Sequence, residues 1–322
     1  MPIPSNQDWR KYVPGLAGVA HDPSLKIKPV EWQTYDVQTS RGPFRTRSML
    51  TMLEIALLYS VARDQYTGEG EIVDGGPLIG VGTRAMAQGL MENPRVTNKL
   101  QRIWSFDLWL AAGMGHYVEG MGGQTGSVFE DFLRLNEDYR PQIHASPGDL
   151  MNMTWRPKPI EILFIDISKS LELNAYVLKN WFTQLIPGKS IVLQQDYVYF
   201  DQWWIAVTME YFKEHFELLG FVFGATAYYL CKQAVTAAEV AAFMALSPAD
   251  HLALLDRAIA GAPPSVAQVL QCGKARMLMT HDRTAAAAAL SEVQRDVHGS
   301  DPVSDFSGIA ASNADVMAKL LA

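Results

Sequence analysis

The segment Asp74-Gly-Gly-Pro-Leu-Ile-Gly-Val-Gly-Thr83 places a carboxylate directly before a glycine-rich turn. Glycines let backbone approach a ligand closely, and a carboxylate offers two acceptor oxygens to the ligand's donors. A second acid, Asp107, ends Ile103-Trp-Ser-Phe-Asp107, and a third, Asp166, ends Glu161-Ile-Leu-Phe-Ile-Asp166. Acids at the ends of successive apolar runs suit a ligand whose ribose hydroxyls donate to carboxylates, rather than one dominated by pyrophosphate. His116 and His144 are candidate bases, because imidazole titrates near neutrality. Strand-end aspartates also cap helices and satisfy turn amides, so the ordered set counts for more than any one member.

Within the same turn, Gly80-Val-Gly-Thr-Arg-Ala85 matches the dinucleotide fingerprint with alanine as the third small residue. That fingerprint begins directly after its strand, whereas Gly80 comes a whole loop later than Asp74. A nicotinamide-dependent oxidoreductase is therefore the second reading, and it predicts no antiparallel hairpin at residues 216–231.

These residues need a scaffold, and the apolar patterning supplies one. Residues 1–45 carry six prolines and no sustained period, which reads as an irregular arm. Arg47 to Val61 reads as a buried helix, and Thr83 as the opening of another over Arg84 to Leu90. Strands are expected at Glu71–Asp74, Ile103–Asp107, Gln142–Ala145, Glu161–Asp166 and Ser190–Gln194, with helical segments at Leu171–Leu185 and Trp203–Phe216. Such alternation argues for a parallel sheet covered on both faces. The runs Phe216–Phe223 and Ala225–Cys231 meet at Gly224. A parallel crossover needs a dozen or more residues, so these two must pair as an antiparallel hairpin.

Composition shifts to alanine-rich near Val235. Ser247-Pro-Ala-Asp250 carries a helix cap, a first-turn proline and an acid, Pro263-Pro-Ser265 starts a second helix, and Arg283–Val297 reads as a third. The expected organisation is an arm over 1–45, an α/β domain over 46–235 and a helical region over 236–322. Between Asp107 and the third strand, residues 111–126 hold six glycines, and a loop of that length suits a lid over an acceptor.

The whole chain has 322 residues, 48% hydrophobic and 19% charged, enough to bury a large core. Its net charge of −7 disfavours nucleic acid as a partner. Cys231 and Cys272 are too few for a disulfide scaffold or a thiolate metal site, and they fit a reducing cytosol. The first residues lack the apolar core of a secretory signal, and the longest apolar stretch, Leu218 to Cys231, is shorter than the roughly 20 residues that span a bilayer. A cytoplasmic protein without a membrane partner is expected.

Five segments, Ile-Val-Asp-Gly-Gly-Pro-Leu-Ile-Gly-Val-Gly-Thr, Ile-Trp-Ser-Phe-Asp-Leu-Trp, Pro-Gly-Asp-Leu, Ile-Leu-Phe-Ile-Asp and Ile-Val-Leu-Gln-Gln-Asp-Tyr, occur in the order found in class I S-adenosylmethionine-dependent methyltransferases. Over roughly residues 46–233 the chain resembles most the macrocin-type sugar O-methyltransferases. The resemblance implies a Rossmann-like fold of five parallel strands closed by an antiparallel C-terminal hairpin, with a helical appendage. It implies that Asp74, Gly76, Gly80 and Thr83 shape the methionine end of the cofactor pocket. Asp107 with Leu108 would hold the ribose, Asp149 with Leu150 would lie by the adenine, and Asp166 would face the reacting centre.

In that family a divalent cation sits on an aspartate after the fourth strand and on a pair of aspartates after the fifth. The matching positions here are Asp166, Gln195 and Asp196, so an amide replaces one carboxylate. An amide oxygen ligates Mg2+, but the lost charge weakens such a site. Asp166, Asp196 and His116 are the catalytic candidates, while Lys169 reads as a solvated charge at a helix start. The function implied is methyl transfer to an oxygen of a sugar or other small polar metabolite, with the C-terminal helices serving homo-oligomer assembly or partner contact. A third reading is a non-catalytic methyltransferase-like scaffold whose helical tail binds a protein.

Overall fold

A computed structural model of the chain describes residues 33–110, 126–156, 158–222, 224–299 and 305–322. Nine strands and ten α-helices occur among them. Strands β1 (Gln33–Thr39) and β2 (Gly42–Ser48) form an antiparallel hairpin. The other seven, β3 to β9, form one sheet in the order β5-β4-β3-β6-β7-β9-β8. The fold is therefore α/β, with a mostly parallel sheet ending in an antiparallel hairpin and followed by a helical C-terminal region. Contacts divide the chain into two compact units, with the division between Ile167 and Ser168.

In the first unit, β3 (Glu71–Gly75) is flanked by β4 (Ile103–Asp107) and β6 (Ile160–Ile165), and β5 (Ile143–Pro147) pairs with β4, all in parallel. Every residue of β3 and β6 is buried, as expected of strands covered on both faces. The loop entering β3 is pinned from below. Glu161, a buried carboxylate on β6, accepts the amide hydrogens of Thr67, Glu69 (2.9 Å) and Gly70 (3.0 Å). Three N–H donors on one carboxylate offset the cost of burying its charge.

Helix α1 (Met52–Ser60) starts at Thr51, whose hydroxyl accepts from the Glu54 amide while Glu54 accepts from the Thr51 amide at 2.7 Å. It therefore begins five residues later than Arg47. The chain before it extends as β2, since a β-strand with alternating polar residues competes there with the helical period. Residues 33–48 are likewise paired strand rather than irregular arm, held by the register Thr39 to Gly42 through Gln33 to Ser48. Helix α2 (Val81–Glu92) follows a left-handed Gly80 (φ 94°), two residues before the expected start at Thr83.

In the second unit, β7 (Ile191–Gln194) pairs antiparallel with β9 (Thr226–Cys231), which pairs antiparallel with β8 (Phe216–Val222). The hairpin forced by the short Gly224 connection is present, and Gly224 adopts φ 132°. Helix α4 (Leu171–Asn180) ends at Trp181, and a short 3-10 turn replaces its expected last residues. Helix α5 (Trp204–Tyr211) stops before Phe216, which belongs to β8.

The C-terminal region holds α6 (Ala237–Met244), α7 (Pro248–Gly261), α8 (Pro264–Leu278), α9 (Arg283–Ser291) and α10 (Ser307–Leu321). The expected cap on α7 is a full capping box between Ser247 and Asp250 with Pro248 in the first turn. Helix α9 is shorter than the predicted Arg283–Val297. Its alanines let it lie close on α8, and Cys272, Ala275, Ala289, Ala314 and Met317 build a small core with Phe200. Burial pushes the Cys231 and Cys272 thiols up to about 11 and about 12, so both behave as inert small hydrophobes. No single helix among the described residues is long and apolar enough to cross a membrane.

Candidate functional site

Because β3, β4, β5 and β6 run parallel, the residues just past their carboxyl ends gather along one rim. The rim is stitched by backbone hydrogen bonds from Gly76 to Phe106 (2.9 Å), Gly148 to Asp107 (2.9 Å) and Asp166 to Gly75 (2.7 Å). Asp74, Gly76, Gly80 and Asp166 line a pocket there, together with Leu78 of the following turn, Val81 and Gly82 at the start of α2, and Ser48, Met49 and Leu50 from the end of the β1–β2 hairpin. It encloses about 410 Å³ of atom-free space, part of it open to solvent.

Asp74 is fully buried. Its Oδ2 accepts the Thr83 hydroxyl hydrogen, while Oδ1 has no hydrogen-bond partner among the described residues. Burial raises its carboxyl to about 7, the Thr83 hydrogen bond acts in the opposite direction, and the nearby Asp107 charge adds to the rise. Such an orphaned acceptor is costly in a finished core and marks a place where an outside donor belongs.

The glycines around it are required by geometry. Gly76 adopts φ 89°, and a Cβ there would lie 2.5 Å from the Asp166 carbonyl oxygen. Gly80 adopts φ 94°, and its Cβ would strike the Asn136 amide and, at 2.5 Å, the Phe132 ring. Asn136 also donates to the Gly80 carbonyl at 3.3 Å, so α3 (Phe129–Leu135) and the residue after it shape the turn. Gly80 supplies no side-chain cap to α2, and Gly80, Val81 and Gly82 at the helix start line the pocket.

Asp107 accepts the Leu78 amide hydrogen on Oδ2 and the Trp109 amide hydrogen on Oδ1, both at 2.8 Å. Leu78 and Trp109 each adopt φ 50°, a left-handed conformation that non-glycine residues rarely hold without support. Asp107 therefore fixes two strained turns at once. Leu108 beside it is exposed. Asp149 caps a short 3-10 turn through the Met151 amide (2.9 Å) and also accepts from the Asn152 side chain (3.2 Å), while Leu150 is buried beneath it.

His144 lies near the amino end of β5, three residues short of the rim, with its ring 4.1 Å from that of Trp104. Burial first, then Arg156 and Lys158, lower its pKa. His116 and the glycine-rich stretch of residues 111–125 lie outside the described residues.

In the second unit, Gln195 is buried and its Oε1 accepts the Thr226 hydroxyl hydrogen. Asp196 adopts φ 61° and forms an ion pair with Lys169. Among the described residues no group of three or more His, Cys, Asp and Glu is placed to hold a metal ion. The donor set implied for Mg2+ does not fit one. Its amide oxygen already accepts a hydroxyl, and the neighbouring carboxylate already meets an ammonium. Lys169 is accordingly a partner of Asp196 rather than only a solvated helix-start charge.

Sequence reasoning missed the Asp107 grip on Leu78 and Trp109, the Asn136 contact with Gly80 and the contribution of Ser48 to Leu50. No local pattern announces these, since each joins residues far apart in the chain.

No family model matches the chain, and no curated protein matches it. Solved structures do. An O-methyltransferase, NovP, is 16% identical over 58% of this chain and 82% of its own, with a TM-score of 0.45. The apo structure of CalS11, a TDP-rhamnose 3'-O-methyltransferase, is 19% identical over 55% of this chain and 77% of its own, with a TM-score of 0.40. The pyocyanin biosynthetic protein PhzM is 16% identical over 55% of this chain and 54% of its own, at 0.34.

Proposed function

We propose that this chain is an S-adenosylmethionine-dependent methyltransferase acting on an oxygen of a sugar or other small polar metabolite. The observation that carries the reading is Asp74, a fully buried carboxylate with one unpartnered oxygen on a pocket whose glycine backbone admits no Cβ. An ammonium group satisfies that oxygen, and the amides opening α2 favour a carboxylate close by. An amino acid end of a ligand carries both. The motif order over residues 46–233 supplies the adenosyl half of the assignment, and the net charge of −7 supports a small-molecule acceptor.

Bound there, S-adenosylmethionine would supply an electrophilic sulfonium methyl for the acceptor oxygen, with the thioether as leaving group. The protein's share is alignment. Thr83 holds Asp74 in place, and Asp107, which the motif order assigns to the ribose, locks the turns at Leu78 and Trp109. Asp166 at the pocket rim is the candidate acceptor of the leaving proton.

The oxidoreductase reading loses ground because the β8–β9 hairpin it does not predict is present. Calorimetry with S-adenosylhomocysteine tests the assignment. Binding by the wild type that is lost in Asp74→Asn supports it, and absence of heat with the wild type overturns it in favour of the scaffold reading.

A further inference from the structure

The turn after β7 carries a disagreement with the metal implied by the resemblance. Asp196 sits in the left-handed region at φ 61°, a conformation that costs about 1–3 kcal/mol in a residue other than glycine. Its carboxylate pairs with the Lys169 ammonium, which comes from the segment just before α4. Gln195, the neighbour that would share a cation, is buried and turned onto Thr226 of β9. A hard divalent ion prefers charged oxygens, and here one is paired and the other replaced by a neutral amide.

We propose that Lys169 stands in the place of a divalent cation, so that this chain binds no such ion at Asp196 and its transfer step needs none. Lys169 is half exposed, and its ammonium neutralises Asp196. A lysine ammonium is a compact point charge, the nearest side-chain equivalent of a small cation. The transfer part of this inference rests on the methyltransferase reading. The binding part does not.

The test is direct titration of the full chain with Mn2+, followed by electron paramagnetic resonance of the free ion, on wild type and on the double variant Lys169→Met, Gln195→Asp. The wild type should leave Mn2+ free at millimolar concentration. The double variant, which restores a carboxylate and removes the resident cation, should bind Mn2+ at least about tenfold more tightly. Tight binding by the wild type overturns the proposal, as does a folded double variant with no gain. Melting curves of both proteins show that the variant is folded, and the single variant Lys169→Met serves in its place if it is not, with a smaller gain in Mn2+ affinity expected and no gain overturning the proposal. S-adenosylhomocysteine calorimetry on the same samples reports separately on the methyltransferase reading.

Discussion

Two turns that follow buried strands of this molecule solve the same electrostatic problem in opposite ways. Near the end of β3, Asp74 is buried with an oxygen that no donor among the described residues reaches, and its carboxyl rises to about 7. After β7, Asp196 is met by Lys169, and Gln195 is met by Thr226. The first turn is incomplete without a guest, and the second is closed by its own chain. A carboxylate is thus informative about function in proportion to what the fold leaves undone around it.

The largest effect should come from Gly76→Ala. It forces a residue at φ 89° to carry a Cβ 2.5 Å from the Asp166 carbonyl, and we expect about 3 kcal/mol lost in chemical denaturation together with loss of ligand binding. A variant with unchanged stability would show that the first turn is looser than described.

Asp74→Asn separates binding from folding. We expect affinity for S-adenosylhomocysteine to fall about 100-fold, the range for losing a charged hydrogen-bond partner, while the melting temperature at pH 8 holds or rises because a buried charge is gone. Equal affinity would place the ligand's amine elsewhere. Asp107→Ala should cost about 2 kcal/mol in stability, since Leu78 and Trp109 lose the acceptor that holds their left-handed turns.

The pH dependence follows from the same carboxyl. Its folded pKa of about 7 lies above the ordinary carboxylate value of 3.8. The ligand-free fold therefore keeps a proton that the unfolded chain releases. This contribution to stability is fully present below the ordinary value, is lost as pH rises toward 7, and is level beyond. Binding of an ammonium needs the ionised form, so affinity should climb about tenfold per pH unit below 7 and flatten above it. Affinity that falls over that range would exclude Asp74 as the amine's partner.

The smallest effect belongs to the second turn. Lys169→Gln breaks a half-exposed ion pair, and we expect less than about 1 kcal/mol in thermal denaturation. A larger loss would mean that Asp196 is less well solvated than its pairing implies.

Much of the fold was legible in the residues. The five expected strands lie within a residue or two of those observed, because a buried strand is a short apolar run whatever surrounds it. The closing hairpin followed from chain length alone at Gly224. Helix starts were less legible where a cap is not a polar side chain. Gly80 opens α2 through its left-handed backbone, and Thr83, which looked like a cap, is instead the donor to Asp74.

The sequence by itself determined the order of strands and the acids that follow them, since both are set by neighbours a few positions apart. Which acid is left wanting a partner was decided only by the tertiary structure. The Thr226 donor to Gln195 lies 31 residues away along the chain, the Lys169 partner of Asp196 lies 27, and the Leu78 donor to Asp107 lies 29. Hydrogen bonding acts over a few ångströms of space, and no local period records which distant group the folded chain brings within that reach.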